Sequence, residues 1–169
     1  MKKIKRKIHI VGINSFKIED LTLEVQELFH KVKYIAAPHT FINEIKQWVS
    51  MKFINEKNFY ESKSNLELIN WLKSNVNDVI LLSRGDPLWF GIGRILLNNF
   101  SKEELLFYPS QTSVQLAFSR LKKPWQDIKA ISIHGRETTE LIKFLKLKEK
   151  GIAILTDPKN NNLDLIRQN

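Results

Sequence analysis

The chain has 169 residues, a hydrophobic fraction of 43%, no cysteine and a formal net charge of +9, with a sequence pI near 9.7. That length suits one domain or two small ones sharing an interface, and the apolar fraction excludes a disordered chain. Without cysteine there is no disulfide framework and no thiolate metal site, which fits a reducing cytoplasm, and no apolar run approaches the ~20 residues of a membrane span.

The amino terminus, Met1 to Lys7, is a basic tail. The apolar stretch behind it is interrupted by His9 and broken by Gly12, so it does not form a signal-peptide core. Lys7 to Ile13 alternates and is β-branched, which predicts a strand. Leu21, Val25, Leu28, Phe29 and Val32 have helical spacing and predict a helix over 19–33. Tyr34 to Ala37 reads as a short strand ended by Pro38, and Phe41, Ile42, Ile45, Trp48 and Val49 as one face of a second helix. The segment 52–62 is polar and irregular, with at most a short strand. Ser64 and Glu67 have the spacing of a capping box and open a helix carrying Leu66, Ile69, Trp71 and Leu72. Val79 to Leu82 is a buried strand, followed by the turn Gly85-Asp86-Pro87 and a helix over 88–100. A strand ending at Tyr108, a helix over 111–120 and a strand over 129–133 follow. A helix over 137–148 and a strand over 152–156 complete the pattern. Strands alternate with helices throughout, so the class is α/β with a mainly parallel, doubly wound sheet in the first domain. The polar, proline-ended Lys122-Lys123-Pro124 divides the chain into a first domain over 1–122 and the start of a second, incomplete one over 123–169.

Chemistry concentrates at strand ends. Gly85 permits a sharp turn, Pro87 fixes φ, and Asp86 stands at the carboxyl end of a strand, where open α/β sheets place ligands. Taken alone, Asp86 is equally suited to an Asx turn or a helix cap. Ser110, Thr112 and Ser113 lie at the next strand-to-helix junction, where small hydroxyls cap a helix or bind a ligand. Trp125 reads as a core anchor. His134 closes a strand and Arg136 follows it; a surface ion pair with Glu137 or Glu140 and a bidentate grip on a carboxylate both suit Arg136. The four histidines, His9, His30, His39 and His134, lack the spacing of a zinc site. The net charge suggests a polyanionic partner. The basic residues are scattered beyond the tail, however, and no aromatic-interleaved RNA-binding pattern appears.

The order of these segments is informative: the Gly85-Asp86-Pro87 turn, then Pro109-Ser110-Gln111-Thr112-Ser113, then Pro124-Trp125, then Ser132-Ile133-His134-Gly135-Arg136. It resembles the tetrapyrrole (corrin/porphyrin) methylases, in particular the cobalamin-biosynthetic branch that methylates ring carbon C5 of precorrins. The likeness runs from Ile8 to the last residues and is most specific from Leu81 to Arg136. It implies methyl transfer from S-adenosylmethionine to a precorrin or cobalt-precorrin, without a metal, by a cytoplasmic homodimer that uses neither membrane nor nucleic acid. Carried over by position, Gly85, Asp86, Pro87, Ser110, Thr112 and Ser113 would hold the donor, with Asp86 the one candidate for a catalytic part. Gly12, His134 and Arg136 would face the substrate. A basic mouth would suit a substrate with many carboxylate arms. The family's second domain continues well beyond this chain, which therefore looks truncated. One departure stands out: where the family has a Gly-x-Gly-Pro-Gly loop after the first strand, this chain has Gly12-Ile13-Asn14-Ser15-Phe16, keeping only Gly12. The alternatives are another activity of the same superfamily, such as ribosomal RNA ribose methylation, and a non-catalytic nucleic-acid-binding fragment.

Overall fold

The computed structural model describes residues 6–15, 17–52, 57–133, 139–147 and 151–156. The chain divides into two units, Met1–Thr112 and Ser113–Asn169.

The first unit is built on five parallel strands: β1 (Ile8–Ile13), β2 (Tyr34–Pro38), β3 (Asn58–Ser62), β4 (Val79–Arg84) and β5 (Leu105–Tyr108). Their spatial order is β3-β2-β4-β1-β5. Every residue of β1 is buried, and so are Val79 to Leu82 of β4. Such unbroken burial belongs to central strands of a parallel sheet, which are covered on both faces. The pleat then sorts side chains by parity. Val11, Ile13, Ile80 and Leu82 pack with Val25 and Phe29 of helix α1 (Leu23–Lys31) and with Ile45, Trp48 and Val49 of α2 (Ile42–Lys52). Ile8, Ile10, Val79 and Leu81 face the other way, onto Leu68, Ile69 and Leu72 of α3 (Asn65–Ser74) and Leu96 of α4 (Gly93–Leu97). The expected doubly wound sheet is thus present, with two helices on each face. Phe29 is fully buried and meets Trp48 edge-to-face at 5.2 Å between ring centroids. Truncating such a ring costs about 3–5 kcal/mol.

Several boundaries differ from the sequence reading, each for a local reason. The first helix starts at Leu23 rather than at Glu19, because Thr22 caps it by accepting from the Val25 amide, and a short 3-10 turn over Ile18–Asp20 precedes it. Segment 58–62 is a true edge strand. It pairs with β2 from Tyr34↔Asn58 to Pro38↔Ser62, and Tyr60 stacks flat on Trp71 at 4.2 Å. The capping box at α3 is half formed: Ser64 accepts from the Glu67 amide at 3.2 Å, but the Glu67 carboxylate reaches back to the Lys63 amide. Leu66 does not face the core; it is 71% exposed, and Leu68 is buried instead. The helix predicted over 88–100 shrinks to α4, whose five residues begin only at Gly93.

The second unit holds α5 (Ser113–Leu121), β6 (Lys129–Ser132), α6 (Thr139–Lys146) and β7 (Ile152–Leu155). β6 and β7 pair in parallel, from Lys129↔Ile152 to Ser132↔Leu155. Ile131, Ile133 and Leu141 form a small core, with Phe144, Leu145, Ile152 and Ile154 against it. Trp125 does not anchor a core; it is 46% exposed. Among the described residues no helix is long and apolar enough to cross a membrane.

Candidate functional site

Connectivity places a crevice where the sheet reverses direction. From β1 the chain crosses over α1 to β2 on one side of the sheet; from β4 it crosses over α4 to β5 on the other. The switch therefore falls between β1 and β4, and ligands of open α/β sheets lie outside the carboxyl ends at such a point.

Backbone contacts lock three strand ends together there. Gly85 has φ +60°, a left-handed conformation that favours glycine. Its amide donates to the Ile13 carbonyl at 3.1 Å, and its carbonyl accepts from the Ser110 amide at 3.2 Å. Gly12 lies directly against this junction. A Cβ at Gly12 would sit 1.9 Å from the Gly85 oxygen and 2.8 Å from the Ser110 nitrogen. The structure thus brings Gly12, Gly85 and Ser110 together at the carboxyl end of β1, β4 and β5. Thr112 is buried, with its Cα 3.6 Å from where a Gly85 Cβ would be. Ser113 opens α5 in the second unit and is exposed. His134 and Arg136 lie outside the described residues.

Beyond Gly85 the loop coils before the helix begins. One Asp86 carboxylate oxygen accepts from the Leu88 amide at 2.8 Å, and the Asp86 carbonyl accepts from the Trp89 amide at 3.2 Å. The carboxylate thus makes an Asx turn with one oxygen, and among the described residues its other oxygen meets no hydrogen-bond donor. Pro87 does not start the helix. Its carbonyl accepts from the Gly93 amide at 2.8 Å, and Cβ atoms at Gly91 or Gly93 would lie 2.5 and 2.7 Å from that same oxygen. Both glycines let the loop fold onto Pro87. Phe90 has φ +52°, costly for a bulky residue, and lies edge-on to Trp89 at 4.8 Å. Leu88 and Phe90 face solvent, 53% and 42% exposed.

The loop after β1 is held by a side chain. Asn14 Nδ2 donates to Ser110 Oγ and to the Gln111 carbonyl, both at 2.8 Å. Asn14 does not use the left-handed backbone its residue type permits, since Phe90 and Lys122 are the non-glycine residues with positive φ among those described.

Two clefts flank these loops. One, of about 450 Å³, runs between α1 and β5 and is lined in part by Gly12, Asp20, Thr22, Glu24, Tyr108 and Ser110. The other, of about 290 Å³, lies at the ends of β2, β3 and β4 and includes Pro38, Ser62, Ser64, Ser83 and Ile92. Beneath the first, His9 is buried with Nδ1 3.2 Å from the Tyr108 hydroxyl. Burial pushes the His9 pKa below 6.5, reinforced by Lys7 and opposed by Asp78 and Glu24. Burial raises that of Tyr108, with Glu24 adding to it. No motif marks this pair in the sequence; strand parity alone signals it, since it puts residues 9 and 11 and residues 106 and 108 on one face. Among the described residues no group of three or more His, Cys, Asp or Glu could hold a metal ion.

The family model for tetrapyrrole (corrin/porphyrin) methylases matches residues 7–169, and the chain belongs to that family. It is 27% identical, over 162 residues, to a protein of Methanocaldococcus jannaschii described as a probable cobalt-precorrin-7 C(5)-methyltransferase, covering 94% of this chain and 76% of that one. It is 24% identical, over 127 residues, to the precorrin-6Y C(5,15)-methyltransferase (decarboxylating) of a Sinorhizobium species. That match covers 75% of this chain but only 30% of the relative's length. In fold it is similar to the cobalamin-biosynthesis precorrin-6Y methylase of Archaeoglobus fulgidus, with a TM-score of 0.55 at 20% identity over 79% of this chain and 67% of that one.

Proposed function

We propose that this chain binds S-adenosylmethionine at the loops following β1, β4 and β5 and serves the methylation of ring carbon C5 of a precorrin or cobalt-precorrin in cobalamin biosynthesis. The observation that carries the reading is the convergence of the Gly85-Asp86-Pro87 turn and the Ser110 loop over Gly12, at the switch point of the sheet. Family membership and the names of the two sequence relatives support the reaction class and the corrin substrate.

The donor brings an already activated methyl group on a sulfonium. The ring carbon supplies the electron pair of the new C–C bond, the S–CH3 bond breaks, and the sulfur leaves as a neutral thioether while the substrate gives up a proton. Such chemistry asks the protein to orient donor and acceptor and to exclude water. Gly85 gives the site its shape and lines the donor; its amide is engaged by Ile13, while its carbonyl accepts from Ser110 and keeps a second lone pair. In this reading the donor meets the second Asp86 oxygen and the Ser110 hydroxyl, with Thr112 and Ser113 on the same loop and Pro87 as a wall. In this reading Gly12, His134 and Arg136 face the substrate, and the net charge of +9 suits its carboxylate arms. A first domain over 1–122, a second from 123 onward, homodimerisation and a cytoplasmic setting without metal, membrane or nucleic acid belong to the same proposal.

Calorimetric titration with S-adenosylmethionine tests it. Asp86→Ala should weaken binding about tenfold or more, the scale of one hydrogen bond to a charged group. Glu27→Ala, which removes an exposed partner of Lys31 on α1, should leave affinity unchanged. Equal affinity in both variants would take Asp86 out of the site, and absence of any heat with the unaltered chain would overturn the reading itself.

A further inference from the structure

We infer that Asn14 fixes the polarity of Ser110, so that the Ser110 hydroxyl meets its ligand as a hydrogen-bond donor and selects a carboxylate oxygen there. The inference rests on the donor-binding reading above and assigns Asn14 as a positioning residue.

The argument starts at Gln111. Its carbonyl can only accept, so the Asn14 atom 2.8 Å away must be the amide nitrogen. The same nitrogen lies 2.8 Å from Ser110 Oγ, which must therefore accept as well. A serine hydroxyl has a single hydrogen, and here it points away from Asn14. The backbone amide of Ser110 is committed to the Gly85 carbonyl, which holds the residue in place. Among the described residues none takes the hydroxyl hydrogen. Ser110 thus enters the cleft of about 450 Å³ with a lone pair engaged and its hydrogen available.

An incoming ammonium or hydroxyl donor finds only the second lone pair of an oxygen that already accepts from Asn14. An acceptor oxygen gains a bond, and a carboxylate gains the strongest one. The same cleft is lined by Asp20 and Glu24, whose carboxylates suit a neighbouring cation. A donor hydroxyl beside acidic side chains complements a zwitterionic amino-acid end, carboxylate toward Ser110 and ammonium toward the acids. A carboxylate arm of the macrocycle offers the first half of that match only.

The test uses the full chain and two donors: S-adenosylmethionine and its decarboxylated form, which lacks the carboxylate. Asn14→Asp keeps the shape but presents an acceptor to Ser110, drawing the hydroxyl hydrogen inward. It should weaken S-adenosylmethionine about tenfold or more and leave the decarboxylated donor unaffected. Asn14→Ala, which frees the hydroxyl to rotate, should lose less. With Ser110→Ala already in place, Asn14→Asp should add little further loss, which separates lost polarity from added charge. A single cooperative melting transition for Asn14→Asp, lowered by loss of the bond to the Gln111 carbonyl, checks the fold. Unchanged affinity for both donors, with a raised KM and constant kcat for the corrin substrate, would support the same polarity and assign the carboxylate to the substrate. Equal losses for both donors, no change in any constant, or a loss that persists undiminished without the Ser110 hydroxyl would overturn the inference alone. An unaltered chain that binds neither donor would overturn the donor-binding reading and this inference with it.

Discussion

The two halves of the sheet's carboxyl end are closed by different chemistry. Where β1, β4 and β5 end, the central joint is backbone on backbone, with the neutral Asn14 amide bridging beside it: Gly85 bonds Ile13 and Ser110, and Gly12 admits the Gly85 oxygen at a distance no side chain tolerates. Where β2 and β3 end, side chains do the closing: His39 Nδ1 pairs with the Glu61 carboxylate, and Ser64 caps α3. Backbone closure leaves little latitude for substitution but keeps side-chain space open beside it. Charged closure on an exposed rim tolerates change, because water replaces either partner at small cost. The difference marks the first half as the one built around a fixed geometry, and the strained Phe90 lies on the loop leaving it.

The sharpest way to break this contrast is Gly12→Ala. A methyl group 1.9 Å from a carbonyl oxygen forces two strand ends apart, and overpacking of this kind costs about 3 kcal/mol or more. Thermal melting should show a large drop, together with loss of donor affinity. A variant that melts with the unaltered chain would show that the junction yields easily and that the two halves do not differ.

Asp86 gives the next largest effect and separates shape from charge. Asp86→Ala removes the acceptor for the Leu88 amide and should destabilise by about 1 kcal/mol, as loss of a side-chain cap does. Asp86→Asn keeps an amide oxygen for that turn and should recover the melting temperature without recovering donor affinity. Recovery of both in the asparagine variant would make Asp86 a turn residue only.

The sheet was legible in the sequence because its inner strands are uninterrupted apolar runs and its helices keep one buried face. Val79 to Leu82 and the Val25–Phe29 stripe signal burial directly. β3 was not legible, because an edge strand alternates weakly and takes its order from pairing with β2. The helix after Pro87 was overextended because Leu88 to Leu97 looks helical, while Gly91 and Gly93 act on a carbonyl distant from any pattern. At the site, the Gly85-Asp86-Pro87 and Ser110 segments could be read as loops at strand ends, but the link between them could not. It runs through Gly12 and Asn14, residues about 70 to 100 positions away along the chain, whose proximity exists only once the parallel register is set. Asn14 in particular looked like a defect in a glycine loop, and its side chain bonds two residues of the neighbouring one.

His9 sharpens the comparison through pH. It belongs to the half closed by backbone, faces Tyr108, and has its pKa lowered by burial, with Lys7 reinforcing and Asp78 and Glu24 opposing. Between its folded value and 6.5 the unfolded chain binds more protons than the folded one, so stability is full above 6.5 and declines as pH falls below it. His9→Gln keeps a polar partner for Tyr108 and removes the titration. Its melting temperature should fall less than that of the unaltered chain over this window, an effect smaller than that of Asp86→Ala. Parallel curves would mean that His9 accepts its proton in place.

The smallest effect is expected in the other half, at Glu61. Its carboxyl is held below the ordinary 4.5 first by the hydrogen bond from His39, with Lys46 and Lys63 adding attraction and desolvation opposing. A carboxylate with a lowered folded pKa contributes stability above 4.5 and loses it as pH falls through the folded value. The group is solvent-exposed, so screening reduces that contribution and salt should erase what is left. Glu61→Gln should therefore melt with the unaltered chain at neutral pH in moderate salt. The two should converge further below pH 4.5, where the carboxylate of the unaltered chain is itself protonated. Donor affinity should not move at any pH, because Glu61 lies at the end of an edge strand separated from β4 by β2. If removing this one charge weakened donor binding, the rim at β2 and β3 would be part of the site, and the division between a backbone-built half and a charge-built half would fail.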